Sequence, residues 1–127
     1  MNDPSVTAFF DDYLAAWPDA GKVADCYAEP FTAARGGRLQ LNPIQPDTQK
    51  FFERVLEAYR SRGFASARIL RLESMPLGAH SAFATVAWAY LDEAGNTLWE
   101  WTFSYNLYMI DGRWQIVLQT LHEPPSP

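Results

Sequence analysis

The side chains with the most chemistry to offer are rings with polar tips: Trp17, Trp88, Trp99, Trp101 and Tyr105, joined by Tyr13, Tyr27 and Tyr59. Buried indole N–H and phenol O–H groups need hydrogen-bond partners. An interior rich in them is mostly apolar with a few converging hydroxyls, the composition of a site for a small hydrophobic or aromatic molecule. Read as packing alone, the same rings are what a chain of 127 residues uses to fill its core. The other reactive side chains stand apart. His80 falls in the turn Gly78-Ala79-His80-Ser81, and His122 opens the tail beside Glu123. A working base needs a positioned partner, and neither has one in its neighbourhood. Cys26, between Asp25 and Tyr27, lacks the cationic neighbours that would activate a thiol and reads as a small buried filler. Metal-ligand spacing, a nucleophile motif and a phosphate loop are all missing, so neither metal nor cofactor is expected.

The elements that must position these rings follow from periodicity. Asp3-Pro4 starts a first helix, with Val6, Phe9, Phe10, Tyr13, Leu14 and Trp17 on one stripe until Pro18 stops it. Asp19 caps a shorter second helix, in which Ala20, Val23, Ala24 and Tyr27 share a face before Pro30. Phe31 to Leu41 reads as a short peripheral hairpin around Arg35-Gly36-Gly37-Arg38. Pro43 and Pro46 bracket a loop. Asp47 then sits in the first turn of a long helix bearing Phe51, Phe52, Val55, Leu56 and Tyr59 and ended by Gly63. Residues 64 to 74 read as a strand, and Pro76 and Gly78 as the turn after it.

The stretch from Ala82 to Leu121 holds three more strands. In the middle one Trp99, Trp101, Phe103, Tyr105, Leu107 and Met109 alternate with Glu100, Thr102, Ser104, Asn106 and Tyr108. One face is built for burial. The other is poor in charge, and with Gln115, Val117 and Gln119 from the next strand it suits a face covered by a second copy of the chain. The expected architecture is α+β: a cone-shaped, curved antiparallel β-sheet packed on N-terminal helices, one domain over residues 1–127, with 122–127 a frayed tail.

Composition narrows the function. Fifteen acids against ten bases give a net charge of −5, which repels nucleic-acid phosphates. No apolar run approaches the roughly 20 residues that span a bilayer. The segment MNDPSVTAFFDD has neither a basic stretch nor an apolar core, so a cytoplasmic protein is expected.

In element order the chain resembles the nuclear-transport-factor-two-like superfamily, in particular its SnoaL-like branch of polyketide cyclases and ketosteroid isomerase relatives. The likeness rests on the opening amphipathic helix, CYAEPF (Cys26 to Phe31), the helix FFERVLEAYRSRG and the closing SYNLYMIDGRWQIV. It implies a cone of helices around a curved sheet, a pocket at its mouth and dimerisation through the sheet's outer face. The isomerases pair a tyrosine on the first helix with a carboxylate after the second. By resemblance Tyr13 matches the first and Glu29 the second, while the family's further acid, deep in the sheet, finds no equivalent. Two readings stay open. One is a binding protein whose pocket is lined by Tyr13, Trp17, Tyr27, Trp99, Trp101 and Tyr105. The other is a cofactor-free isomerase, cyclase or dehydratase acting on a small carbonyl compound through Tyr13 and Glu29.

Overall fold

The computed structural model describes residues 2–124. Helix α1 is Pro4–Ala16, capped by the Asp3 carboxylate, which accepts from the Ser5 amide at 2.8 Å. It buries Val6, Phe10 and Tyr13, spaced four and three apart as one face of a helix requires. Helix α2, Ala20–Ala24, is capped by Asp19, whose carboxylate takes the Gly21 and Lys22 amides at 3.0 and 3.1 Å.

Here the chain departs from the expectation that Tyr27 ends a helix before Pro30. Strand β1, Tyr27–Arg35, begins at that tyrosine. The backbone of Cys26 is claimed by the sheet: its carbonyl accepts from the Ile116 amide at 3.0 Å, and Tyr27 pairs with Ile116 in parallel register. Pro30, which has no N–H to give a ladder, falls where the register shifts between Tyr27 and Thr32.

Strand β2, Arg38–Asn42, returns antiparallel through Gly36 and Gly37, whose φ values of 64° and 72° are those of a turn that favours glycine. Helix α3, Gln45–Ser61, takes Pro46 and Asp47 into its first turn and ends at Gly63, φ 93°. The residue flanking its N-terminus, Ile44, has no side chain that can cap it. The Glu29 carboxylate, from β1, accepts the Gln45 amide instead.

Four further strands complete the sheet: β3 Ser66–Leu77, β4 Ser81–Leu91, β5 Thr97–Ile110 and β6 Arg113–Leu121. Pro76 remains inside β3, opposite Ala82, because β3 is an edge strand and one side of its ladder is unused. The order is β2-β1-β6-β5-β4-β3, a curved sheet that does not close on itself. It is mixed rather than antiparallel, since β1 runs parallel to β6. The hairpin expected at the periphery thus supplies two of its six strands.

The strand faces fall as the alternation predicts through most of the sheet. Ala82, Ala84, Val86, Trp88 and Tyr90 of β4 and Phe103, Tyr105 and Leu107 of β5 are buried with Phe10, Tyr13, Phe31, Phe52 and Leu56. Strand β6 breaks the pattern at Val117. Leu107 pairs with Ile116 and Asn106 with Leu118, so Val117 is an extra residue and the parity beyond it reverses. Gln119, expected on the outer face, is therefore turned inward and is 3% exposed. Trp114 is half-buried, its indole N–H donating to Ser5 Oγ at 2.9 Å.

Phe10 is fully enclosed, so Phe10→Ala should cost about 3 to 5 kcal/mol in urea unfolding. Glu29→Ala, which removes only the cap on α3, should cost about 1 kcal/mol. Equal losses for the two would contradict this division between core and cap.

Candidate functional site

The aromatic faces of α1, α3 and the sheet converge on a narrow cavity. Tyr13 and Trp17 reach it from α1 and its end, Phe52, Val55 and Tyr59 from α3, and Trp88, Tyr90, Phe103, Tyr105 and Gln119 from the sheet, with Arg35 from the end of β1. Its volume is about 10 Å³, room for the centre of about one water molecule. Rings fill the rest. Tyr13 packs edge-on against Trp17, Tyr27 and Tyr105 with centroids 6.2, 5.9 and 6.1 Å away, and Trp17 stacks on Tyr59 at 6.1 Å.

Two sets of buried hydrogen bonds run through these rings. The Tyr13 and Tyr27 hydroxyls share a hydrogen bond of 2.6 Å, Gln119 Nε2 donates to the Tyr27 hydroxyl at 3.0 Å, and Trp88 Nε1 donates to the Tyr105 hydroxyl at 3.0 Å. Gln119 Oε1, equally buried, has no protein partner among the described residues. The other buried side-chain atoms without one, Asn42 Nδ2, Thr48 Oγ1 and Trp99 Nε1, belong to residues that do not line the cavity.

Burial holds the phenols of Tyr13, Tyr27 and Tyr105 well above their ordinary value, and lifts those of Tyr59 and Tyr90 as well. The positive charge of Arg35 pulls the last two back only in part. At ordinary pH these phenols are neutral groups that donate and accept hydrogen bonds. Among the described residues, the only charged side chain on the wall is Arg35.

Of the residues singled out from sequence, Tyr13, Trp17 and Tyr105 line the cavity. Tyr27 lies behind Tyr13, its hydroxyl engaged by Tyr13 and Gln119. Trp99 and Trp101 stand beside Tyr59, centroids 5.3 and 6.0 Å away, and the Arg62 guanidinium covers Trp99 at 4.0 Å. Glu29 is exposed at the start of α3 and is not brought together with Tyr13. Sequence reasoning missed Arg35 and Gln119. Counting by twos from the buried Phe31 would have pointed Arg35 inward, whereas nothing local announces the bulge that turns Gln119.

The remaining candidates lie elsewhere. His80 is exposed in the turn before β4. His122, placed in the tail by sequence, donates its backbone N–H to the Thr102 carbonyl at 2.9 Å, and its Nε2 lies 2.6 Å from Ser104 Oγ on the sheet's outer face. Glu123 accepts the Gly36 amide. The rest of the expected tail, 125–127, lies outside the described residues. Cys26 is half-buried, its thiol directed at the Lys22 carbonyl at 3.7 Å; burial, with help from Asp25, pushes it up to about 11. Among the described residues no cluster of side chains is arranged to hold a metal ion, and no helix is long and apolar enough to cross a membrane.

A family model described as NTF2-like protein (DUF6841) matches residues 2–124. No curated protein matches the chain. Solved structures with the same fold include Aln2 from a Streptomyces species, 11% identical, covering 94% of this chain and 89% of that one, with a TM-score of 0.77. An NTF2-like protein of unknown function from Shewanella oneidensis is 15% identical, covers 94% and 98% of the two chains and has a TM-score of 0.70. The yeast Ubp3-associated protein Bre5 is 14% identical, covers 93% and 92%, and has a TM-score of 0.74.

The raised phenols have a consequence for stability. An unfolded tyrosine ionises near 10.0 and an unfolded cysteine near 9.0, while the folded groups hold their protons to higher pH. The unfolded chain then binds fewer protons than the folded one, so the stabilisation is complete below those values and falls as pH rises through them. The urea midpoint should decline above about pH 9 and more steeply above about pH 10. Tyr105→Phe should flatten the upper part of that decline. A midpoint that stays level through this range would mean that the phenols ionise as freely as in the unfolded chain.

Proposed function

We propose, starting from the fact that the chain belongs to the NTF2-like family DUF6841, that it is a small-molecule-binding protein whose site is the aromatic cavity between α1, α3 and the sheet. One observation carries the reading: in a ring-lined enclosure, Gln119 keeps an amide oxygen without a protein partner among the described residues. Such an atom costs about 1 to 3 kcal/mol. Of the buried unpartnered atoms among the described residues, this one alone belongs to a residue of the cavity wall, and a few polar atoms on such a wall are what orient a bound molecule. Among the described residues the lining has no carboxylate or imidazole, which favours binding over proton transfer, as does the placement of Glu29 at the head of α3.

The cavity as it stands is far below the roughly 300 Å³ of an ordinary ligand site, so entry requires side chains to move apart. Arg35 and Trp17 are partly exposed on the wall, at the ends of β1 and α1. Intrinsic tryptophan fluorescence should respond to small aromatic compounds such as indole, and Trp17→Phe should reduce the response. A ligand at about 100 times its Kd should raise stability by about 2.7 kcal/mol, readable as a higher melting temperature. Native mass spectrometry of freshly purified protein should detect any molecule retained. A series of neutral and anionic aromatics that changes neither fluorescence nor melting temperature, with only the bare chain mass in the spectrometer, would refute the reading.

We also propose that the outer face of the sheet meets a second copy of the chain. Thr102, Ser104, Asn106 and Tyr108 of β5 share it with Thr85 and Ala87 of β4, Leu118 and Thr120 of β6, and Thr32 and Ala34 of β1. Large apolar side chains stand exposed on the same side: Leu39 at 77%, Leu41 at 60% and Met75 at 54%. Full charges collect along the β3 side, at Arg68, Arg71 and Glu73, the last level with Thr85 and Ser104, and at Glu100 of β5. A charge-poor, apolar surface of this kind suits an interface that meets itself about a two-fold axis. Ser104 sits at its middle between Thr85 and His122, 3.1 and 2.6 Å away. Ser104→Arg should leave the fold intact and yield a monomer by sedimentation velocity, where the unmodified protein is a dimer at micromolar concentration. A monomer before the substitution, or a dimer after it, would remove this interface.

A further inference from the structure

Arg35 and Gln119 are the two features of the cavity that packing does not account for. Arg35 is the last residue of β1, on the same inward side as Phe31 and Ala33. Its guanidinium lies 5.7 and 5.8 Å from the ring centroids of Trp101 and Phe103, against ring faces. No carboxylate among the described residues pairs with it: the ion pair found there is the exposed Arg71–Glu73, at 3.1 Å. A guanidinium at the edge of a low-dielectric, aromatic enclosure offers a planar fork of donors that matches a carboxylate in two parallel hydrogen bonds.

Gln119 lies deeper. It pairs with Ala33 on one side and Tyr105 on the other, so Arg35 is one same-face step further along the neighbouring strand. Strand geometry puts the two Cα atoms about 8 Å apart. Both side chains rise from the same face of neighbouring strands, so a flat ring with polar groups at opposite ends meets both once the enclosure opens. Either orientation of the Gln119 amide leaves one of its atoms unpartnered, because the other is taken by the Tyr27 hydroxyl. A hydroxyl both donates and accepts, so it satisfies whichever atom is free. Between the two positions the walls are the rings of Tyr105, Phe103, Tyr59 and Trp17, which favour a flat ligand.

We propose that the cavity takes a small planar aromatic carboxylate bearing a hydroxyl at the far end of its ring. Arg35 holds the carboxylate at the rim, and Gln119 meets the hydroxyl inside. This inference rests on the reading of the cavity as a ligand site. A single cation suits a carboxylate monoanion and not a doubly charged phosphate, since a second buried charge would stay uncompensated. The net charge of −5 gives anions no general attraction to the protein, so the preference must come from this one contact.

Titration of the unmodified protein with 4-hydroxybenzoate and with its neutral counterpart 4-hydroxybenzyl alcohol, followed by tryptophan fluorescence and calorimetry, tests the proposal without any mutation. The acid should bind about ten-fold or more tightly than the alcohol. Arg35→Gln should abolish the preference for the acid over the alcohol, and Arg35→Lys should keep part of it. Benzoate, lacking the hydroxyl, should bind more weakly than 4-hydroxybenzoate, and Gln119→Leu should erase that difference. Equal binding of acid and alcohol by the unmodified protein, or a preference that survives Arg35→Gln, overturns the proposal while the cavity remains a site for neutral aromatics. Binding of none of the probes removes both this inference and the reading beneath it.

Discussion

The parallel pairing of β1 with β6 is the contact on which the rest of the structure depends. It joins the segment after α2 to the last strand of the sheet, through Tyr27 opposite Ile116 and the Ile116 amide on the Cys26 carbonyl. Without it the chain is two local halves, helices and a hairpin on one side and a four-stranded meander on the other. With it, one strand acquires three duties. Tyr27 is turned onto Tyr13, Glu29 is set outward to receive the first amide of α3, and Arg35 is brought over the rings of Trp101 and Phe103. A parallel pair needs a crossover, and the whole of the chain between residues 35 and 113 serves as one.

The interior built around that pairing is unusual in the number of its rings that carry polar tips. An apolar core of equal volume would be simpler to satisfy, because each buried phenol, indole or amide has to find a partner or bear a desolvation cost. Most find one: Tyr13 with Tyr27, Trp88 with Tyr105, and one end of the Gln119 amide. The same burial that makes these bonds necessary keeps the phenols protonated, so the enclosure is polar without being charged. Arg35 is the exception at its edge, held by ring faces instead of by an acid. Under the proposed reading, affinity for a flat ring and discrimination by charge come from separate parts of the site.

The sheet has two faces with different requirements, and the bulge at Val117 governs how β6 is divided between them. Inward positions on β4 and β5 alternate strictly with outward ones, so the buried aromatic wall and the charge-poor outer face are two readings of the same strands. On β6 the extra residue Val117 exchanges the parity, sending Gln119 to the wall and Leu118 to the outer face. One inserted residue therefore supplies the cavity with its unpartnered amide and the outer face with an apolar side chain. Bulges re-aim side chains in this way because a strand has only two directions to offer.

Much of this was legible in the residues themselves. Phe10, Tyr13, Phe52 and Tyr59 recur at helical spacing, Trp99 to Leu107 alternate, and Asp3, Asp19 and Gly63 mark helix ends, because these signals depend on neighbours within a few positions. The aromatic character of the interior follows from the same local patterns. What the tertiary structure alone decided is whatever depends on a partner distant in sequence. Tyr27 looked helical until β6, nearly ninety residues on, claimed the backbone beside it. Glu29 carried the look of a catalytic acid by resemblance, and only the fold places it at the head of α3. Arg35 looked like turn punctuation beside two glycines, and Gln119 like an outward residue, because neither strand parity after a bulge nor the rings waiting across the sheet are written in the few residues around them.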